Sequence, residues 1–124
     1  MKIENIKFKA IRLDGKGWVC GYFYEENGNT YIIENRQKES KLNRNLTYQV
    51  DPSTVCQFTG LTDKNGAAIY EGDIVMHKDN NAERSGDINW DSKAAAFCFG
   101  QDFLFHYSSE DMVVIGNKFD KKKK

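Results

Sequence analysis

The stretch TGLTDKNGAAIYEGDIV, residues 59–75, decides how this chain is read. Asp63-Lys64-Asn65-Gly66 has Asp first and Gly fourth, the preference of a type I turn, and Asn-Gly within it suits positive φ. Ala67 to Tyr70 reads as a short extended piece. Glu71-Gly72-Asp73 makes a second turn, and Ile74, Val75 and Met76 open an apolar strand. Two turns around a short tether describe a connector between one β-unit and the next. In this reading Gly60, Gly66 and Gly72 allow bends, Ile69 and Tyr70 anchor the connector, and Asp63 and Asp73 cap turns.

Outward from this stretch the chain reads as strands and turns. Upstream, residues 6–13 (IKFKAIRL) come near period two, with Lys7, Lys9 and Arg12 read on one face and Ile6, Phe8, Ala10 and Leu13 on the other. DGKG (14–17) is a turn by composition. WVCGYFYEE (18–26) alternates at Trp18, Cys20, Tyr22 and Tyr24, and the following Asn27-Gly28 suits a type I′ hairpin turn. TYIIEN (30–35) pairs back. RQKESKLNRN (36–45) is polar and without a period, an exposed loop or one irregular helical turn. LTYQVDPSTVCQFTG (46–60) divides into two short strands at Asp51-Pro52, because proline lacks a donor and pushes its predecessor to an extended shape.

Downstream, strands are expected over residues 73–79, 86–91, 94–100, 102–107 and 112–117, with NNAERS (80–85) as a polar loop and Ile88 and Trp90 on one face. Five short strands fit a small SH3-like barrel or an open sheet. The tail KFDKKKK (118–124) reads as a solvated, disordered charge run.

Bulk properties set limits. The chain has 124 residues, enough for one domain or two small lobes. Eighteen basic residues balance eighteen acidic ones, so net charge is no argument for nucleic acid or an anionic membrane, while a local basic patch stays open. The opening MKIENIKFKAIRLDG lacks the apolar run of a signal peptide. No stretch approaches the roughly 20 apolar residues that span a bilayer. A cytosolic protein with no membrane partner is expected.

The chemistry-bearing residues support no enzyme. Cys20, Cys56 and Cys98 lie far apart among apolar neighbours and read as buried thiols rather than as a disulfide or zinc set. Asp63, Glu71 and Asp73 fall within eleven residues. An EF-hand frame on Asp63 puts Gly66 at the fourth position and Ile74 at the twelfth, so the calcium-loop match fails and turn chemistry explains these acids better. His77 and His106, with Cys98, Asp73 or Asp79, could form a metal or acid–base site, but nothing places them together. Gly15 and Gly17 precede a turn between strands rather than a helix, so no dinucleotide loop is present, and neither GxSxG nor HExxH occurs. Trp18, Tyr22, Tyr24, Tyr31, Phe97, Phe99, Phe103 and Phe105 could stack bases beside Lys7, Lys9 and Arg12. Most of them are instead expected in the core, since the chain has few leucines, with room for one exposed patch.

The stretch TVCQFTGLTDKNGAAIYEGDIV (54–75) resembles the signature of the YopX family of small phage and prophage proteins, which runs T-V-x-Q-[YF]-T-G-L-x-D-x-x-G-x-x-I-[YF]-E-G-D-I-V. Gly60, Asp63, Gly66, Tyr70, Glu71, Gly72 and Asp73 are among the matching positions. The opening IKFKAIRLDGKGWVCGYFYE and the closing VVIGNKFD (113–120) are similar to the family's ends. Cys56 stands where glycine is usual, which weighs against a positive φ there, and Lys118 where an apolar residue is usual. The resemblance implies a mainly β, phage-linked protein and a multi-subunit assembly. The family has no assigned activity, cofactor or catalytic residue, so no functional residue is carried over.

The expectation is therefore one mainly β domain over residues 1–124. It comprises an N-terminal antiparallel meander (1–58), a connector (59–73), a C-terminal SH3-like or open five-stranded β unit (74–117) and a basic tail (118–124). The expected function is a non-enzymatic accessory protein of the bacterial host cytoplasm that self-assembles or binds another protein. The alternative is a nucleic-acid-binding small β-barrel with contacts at Lys7, Lys9 and Arg12. A homo-oligomer is expected; no cofactor, metal or small-molecule ligand is.

Overall fold

The computed structural model describes residues 2–34 and 46–120. The polar segment 36–45, expected as a loop, and the last four lysines of the tail lie outside the described residues. The chain divides into two compact units, with the passage between Gln57 and Phe58. The described residues form short antiparallel strands and single 3-10 turns, so the mainly β expectation holds.

In the first unit, β1 (Phe8–Ile11), β2 (Trp18–Glu26), β3 (Asn29–Glu34) and β4 (Leu46–Val50) form the expected meander. Asn27 and Gly28 both take positive φ, 52° and 83°, which is what a type I′ turn demands and what holds β2 against β3. The sheet curls. Past β1, Arg12 bridges Val50, Leu13 N donates to Gln49 O at 3.0 Å, and Asp51 N donates to Ile11 O at 2.9 Å. The other half of β1 pairs Phe8 and Lys9 with Gln57 and Cys56 of β5 (Cys56–Thr62). A 3-10 turn, Pro52–Thr54, fills the gap. Asp51 caps it by accepting from Ser53 N, and Thr54 Oγ1 accepts from Ile11 N at 2.9 Å. The outer ladder of β1 is thus shared among β5, one threonine and β4.

One face of this curl holds Ala10, Val19, Ile32 and Val50, packed with Phe8, Tyr48 and Val55. Each fully buried aliphatic here contributes about 1.5–3 kcal/mol. Val19 sets the parity of β2 and overturns one expectation. Because Val19 turns inward, Cys20 turns outward and is exposed, while Cys56 and Cys98 are buried. Trp18, Tyr22, Tyr24 and Tyr31 consequently leave the core for the opposite, half-buried face.

In the second unit, the rest of β5 pairs with β6 (Ala68–Tyr70), and then β7 (Asp73–Lys78), β8 (Glu83–Asp91), β9 (Ala96–Phe99) and β10 (Asp102–Phe103) run as a meander. β11 (Met112–Asn117) returns to pair with β7, giving the order β10-β9-β8-β7-β11. Of the two alternatives for this half, the open five-stranded sheet is the one formed. Its core is Ile69, Val75, Ile88, Phe99, Leu104 and Met112.

Two strand limits differ from those expected. Glu83–Ser85 are strand, not loop: they pair with Lys78–Met76, and their exposed polar side chains hid the ladder. Residues 102–107 are not one strand. β10 stops at Phe103 and a 3-10 turn, Leu104–His106, buries Leu104 and leaves Phe105 72% exposed. At the other end, Lys118 and Phe119 lie in a turn rather than in a disordered tail: Phe119 N donates to Asn117 Oδ1 and Lys118 N to Gly72 O.

Candidate functional site

Three regions bear on function: the 59–75 stretch, the outer face of the first unit and an apolar patch on the second.

The stretch is stitched into the second unit by its acids. Gly60, Gly66 and Gly72 take φ of 89°, 83° and 90°. Asp63 is 6% exposed. Its Oδ1 accepts from Asn65 N and Ala67 N, both at 2.9 Å, closing the turn ahead of it. Its Oδ2 accepts from Val114 N of β11 at 2.9 Å. Burial pushes this carboxyl up, but the three backbone N–H donors outweigh it and hold Asp63 below the ordinary carboxylate range. Next to it Lys64 N donates to Met112 O at 3.0 Å. Together these contacts occupy the outer edge of β11.

The second turn is built alike. Asp73 is fully buried, its Oδ2 accepting from Tyr70 N at 2.8 Å and its Oδ1 from Asn117 Nδ2 at 3.0 Å. Gly72 N donates to Ile88 O and Gly72 O accepts from Lys118 N. Tyr70 is buried against Phe58, and Glu71 is half-buried in the turn. Every carboxylate bond described for Asp63 and Asp73 goes to this chain's own amides. That chemistry folds a loop.

Both histidines lie against aromatic rings. His77 is buried edge-on to Tyr107 at 5.1 Å. His106 is exposed beside Phe105 at 4.5 Å. Tyr107 Oη donates to Asp102 Oδ2 at 2.6 Å and accepts from Arg84 Nη1, and the Asp102 bond pushes the phenol up. Burial likewise raises the Cys98 thiol. Among the described residues no group of three or more His, Cys, Asp or Glu side chains could hold a metal ion.

The three basic residues of the first strand do not share one face. Position 12 has the opposite parity to 7 and 9, and Arg12 bridges Val50 just past the end of β1. Its guanidinium lies over the Tyr48 ring at 4.0 Å and pairs with Asp14, whose carboxyl it holds low. Lys9 lies over the Trp18 ring at 4.8 Å, and Lys7 lines a cleft of about 260 Å³ with Glu4, Cys20 and Tyr22. Trp18, Tyr22 and Tyr24 alternate along this outer face, and Tyr24 stacks on Tyr31 of β3 at 5.1 Å and 19°.

On the second unit Trp90 (45% exposed) meets Phe97 edge-on at 5.0 Å. Phe97 also lines a shallow apolar pocket of about 210 Å³ with Leu61, Leu104 and the exposed Phe105. Sequence reasoning missed this patch because the patch draws on β5, β8, β9 and a 3-10 turn. The break in alternation at Leu104-Phe105 was its one local signal.

A family model described as YopX protein matches residues 7–123, nearly the whole chain. No curated protein and no solved structure matches the chain.

Proposed function

The chain belongs to the YopX family, and on that premise we propose that it is a non-enzymatic module that self-assembles through its second unit. The observation that carries this reading is the Trp90–Phe97–Phe105 patch on a strongly acidic unit. Residues 58–120 hold five of the eighteen Lys and Arg and eleven of the eighteen Asp and Glu, a net −6, so the remainder of the chain is +6. An apolar patch with exposed aromatics is what a docking surface requires. The charge split makes a second copy a complementary partner, because the acidic unit of one chain attracts the basic portion of the next.

Within the second unit, edge pairing of strands is a poorer route to assembly. β10 has two residues, β6 has three, and β11 is covered by Asp63 and Lys64. The head-to-tail geometry is heterologous, so it builds rings or larger species rather than dimers. The working compartment in this reading is the bacterial host cytoplasm, with phage or prophage origin, as the family resemblance implies.

The test is absolute mass by light scattering during size-exclusion chromatography at low and high salt. The expected result is a defined oligomer larger than a dimer at micromolar concentration. It should dissociate as salt screens the charges and in the Trp90→Ser, Phe105→Ser chain. A strict monomer at low salt, or an oligomer untouched by both changes, overturns the reading.

A further inference from the structure

We propose that the outer face of the β2–β3 ladder binds single-stranded nucleic acid, a role separate from assembly through the second unit. Strand parity creates this face. Val19 faces the core, so Trp18, Tyr22 and Tyr24 face away from it, and cross-strand pairing brings Tyr31 alongside Tyr24. All four rings are half-exposed. They are therefore neither spent on the core nor scattered singly.

Aromatic rings on a sheet face offer π-surfaces to bases of any identity. Alternate residues of one strand stand about 6.8 Å apart, whereas bases stacked in a duplex lie about 3.4 Å apart. Tyr22 and Tyr24 stand at the alternate-residue spacing and Trp18 four residues from Tyr22, intervals that suit a stretched single strand whose bases are free to turn, whereas a duplex keeps its base faces stacked on each other.

The charges lie where such a strand needs them. Lys9 sits over Trp18 and Lys7 lines the cleft beside Tyr22, with Glu4 the acid of that cleft. Arg12 is excluded, since Tyr48 and Asp14 occupy it. The −6 of residues 58–120 repels phosphate, and the compensating positive charge of the chain is carried by residues 36–45 and 121–124, the described residues of the first unit holding five basic and six acidic side chains.

The test uses the full chain with Trp90→Phe, which leaves Trp18 as the only tryptophan. Oligothymidylate is added at low salt and Trp18 emission is followed. The expected result is saturable quenching whose affinity falls linearly in log salt. Lys7→Ala with Lys9→Ala should reduce the slope by about 0.7 for each phosphate no longer neutralised. Both lysines pack locally, so Thr47→Glu and Gln49→Glu provide an independent check. Both residues are exposed on β4, opposite Ile33 and Tyr31, and added negative charge there should weaken binding at least about tenfold. No quenching at low salt overturns the proposal. So does binding that ignores the two glutamates, or a duplex of the same length that binds equally well.

Discussion

Asn117 donates its side-chain amide to the carboxylate of Asp73 at 3.0 Å, joining two residues 44 apart in sequence inside the second unit. The two also face each other as the last cross-strand pair of β11 and β7. Asp73 closes the second turn of the 59–75 stretch, and Asn117 closes the apolar strand VVIGN. The central signature and the closing segment of the family resemblance thus meet in one hydrogen bond.

Asn117→Ala removes that amide from a fully buried carboxylate and deprives Phe119 N of its acceptor. The expected loss is roughly 1–3 kcal/mol, the range for leaving a buried polar group unsatisfied. Urea unfolding of the two chains measures it directly. A change within about 0.5 kcal/mol would show that the pair does not hold the fold.

Asp63→Asn replaces an acceptor with a group that is half donor. Either the new amide faces Val114 N–H, or it faces Asn65 and Ala67, so at least one bond turns repulsive. The wild-type carboxyl is held below its ordinary value, so its contribution is present above the unfolded value and is lost as pH falls through the folded one. The stability gap between the two chains should therefore be full at neutral pH and close below about pH 4. Denaturant midpoints across a range from neutral to strongly acidic pH check the sign, and a gap that widens in acid contradicts it.

Gly72 holds φ at 90° with both backbone groups bonded, to Ile88 and to Lys118. A β-branched side chain is strained there, and Gly72→Val should cost about 1–3 kcal/mol or prevent folding. An unchanged melting temperature refutes this.

Gly21 serves a different need. A Cβ built on it lies 2.0 Å from the carbonyl oxygen of Ile33, which is backbone and cannot swing aside. Gly21→Ala should therefore force β2 and β3 apart and destabilise the first unit by roughly 1–3 kcal/mol. Thermal unfolding followed at Trp18 reads that unit, and an unaltered transition would contradict the close approach.

The thiols should separate under native conditions. An aromatic disulfide reagent is expected to titrate Cys20 quickly, leaving Cys56 and Cys98 until the chain unfolds. Two or three fast thiols would contradict the burial of Cys56 on β5 or of Cys98 on β9.

Turn chemistry made much of this fold legible. Asn27-Gly28 and Asp63 to Gly66 mark hairpin bends because few residues accept their dihedrals. Both ends of β2 and of β11 could be read from their flanks. Parity could not. Trp18-Val19-Cys20 alternates equally well in either sense, and only the pairing of Val19 with Ala10 settles which side is core. The Arg12 contacts were illegible for a related reason, since they depend on β1 ending at Ile11, two residues earlier than its composition suggests. Glu83–Ser85 carry no apolar signal because both their faces meet water. The Asp63–Val114 bond spans 51 residues and has no local signature at all.

That bond also bears on misfolding. A strand with open amides is a template on which foreign segments can add, the first step toward cross-β fibres. At β11 the template is blocked by an ionised carboxylate belonging to a neighbouring turn, so an invading segment must displace a charge that is already satisfied. Ile115, 53% exposed at the bulge of the same strand, is an apolar side chain that would otherwise invite such growth. Asp63 thus occupies an edge along which a chain with zero net charge would otherwise offer an open ladder.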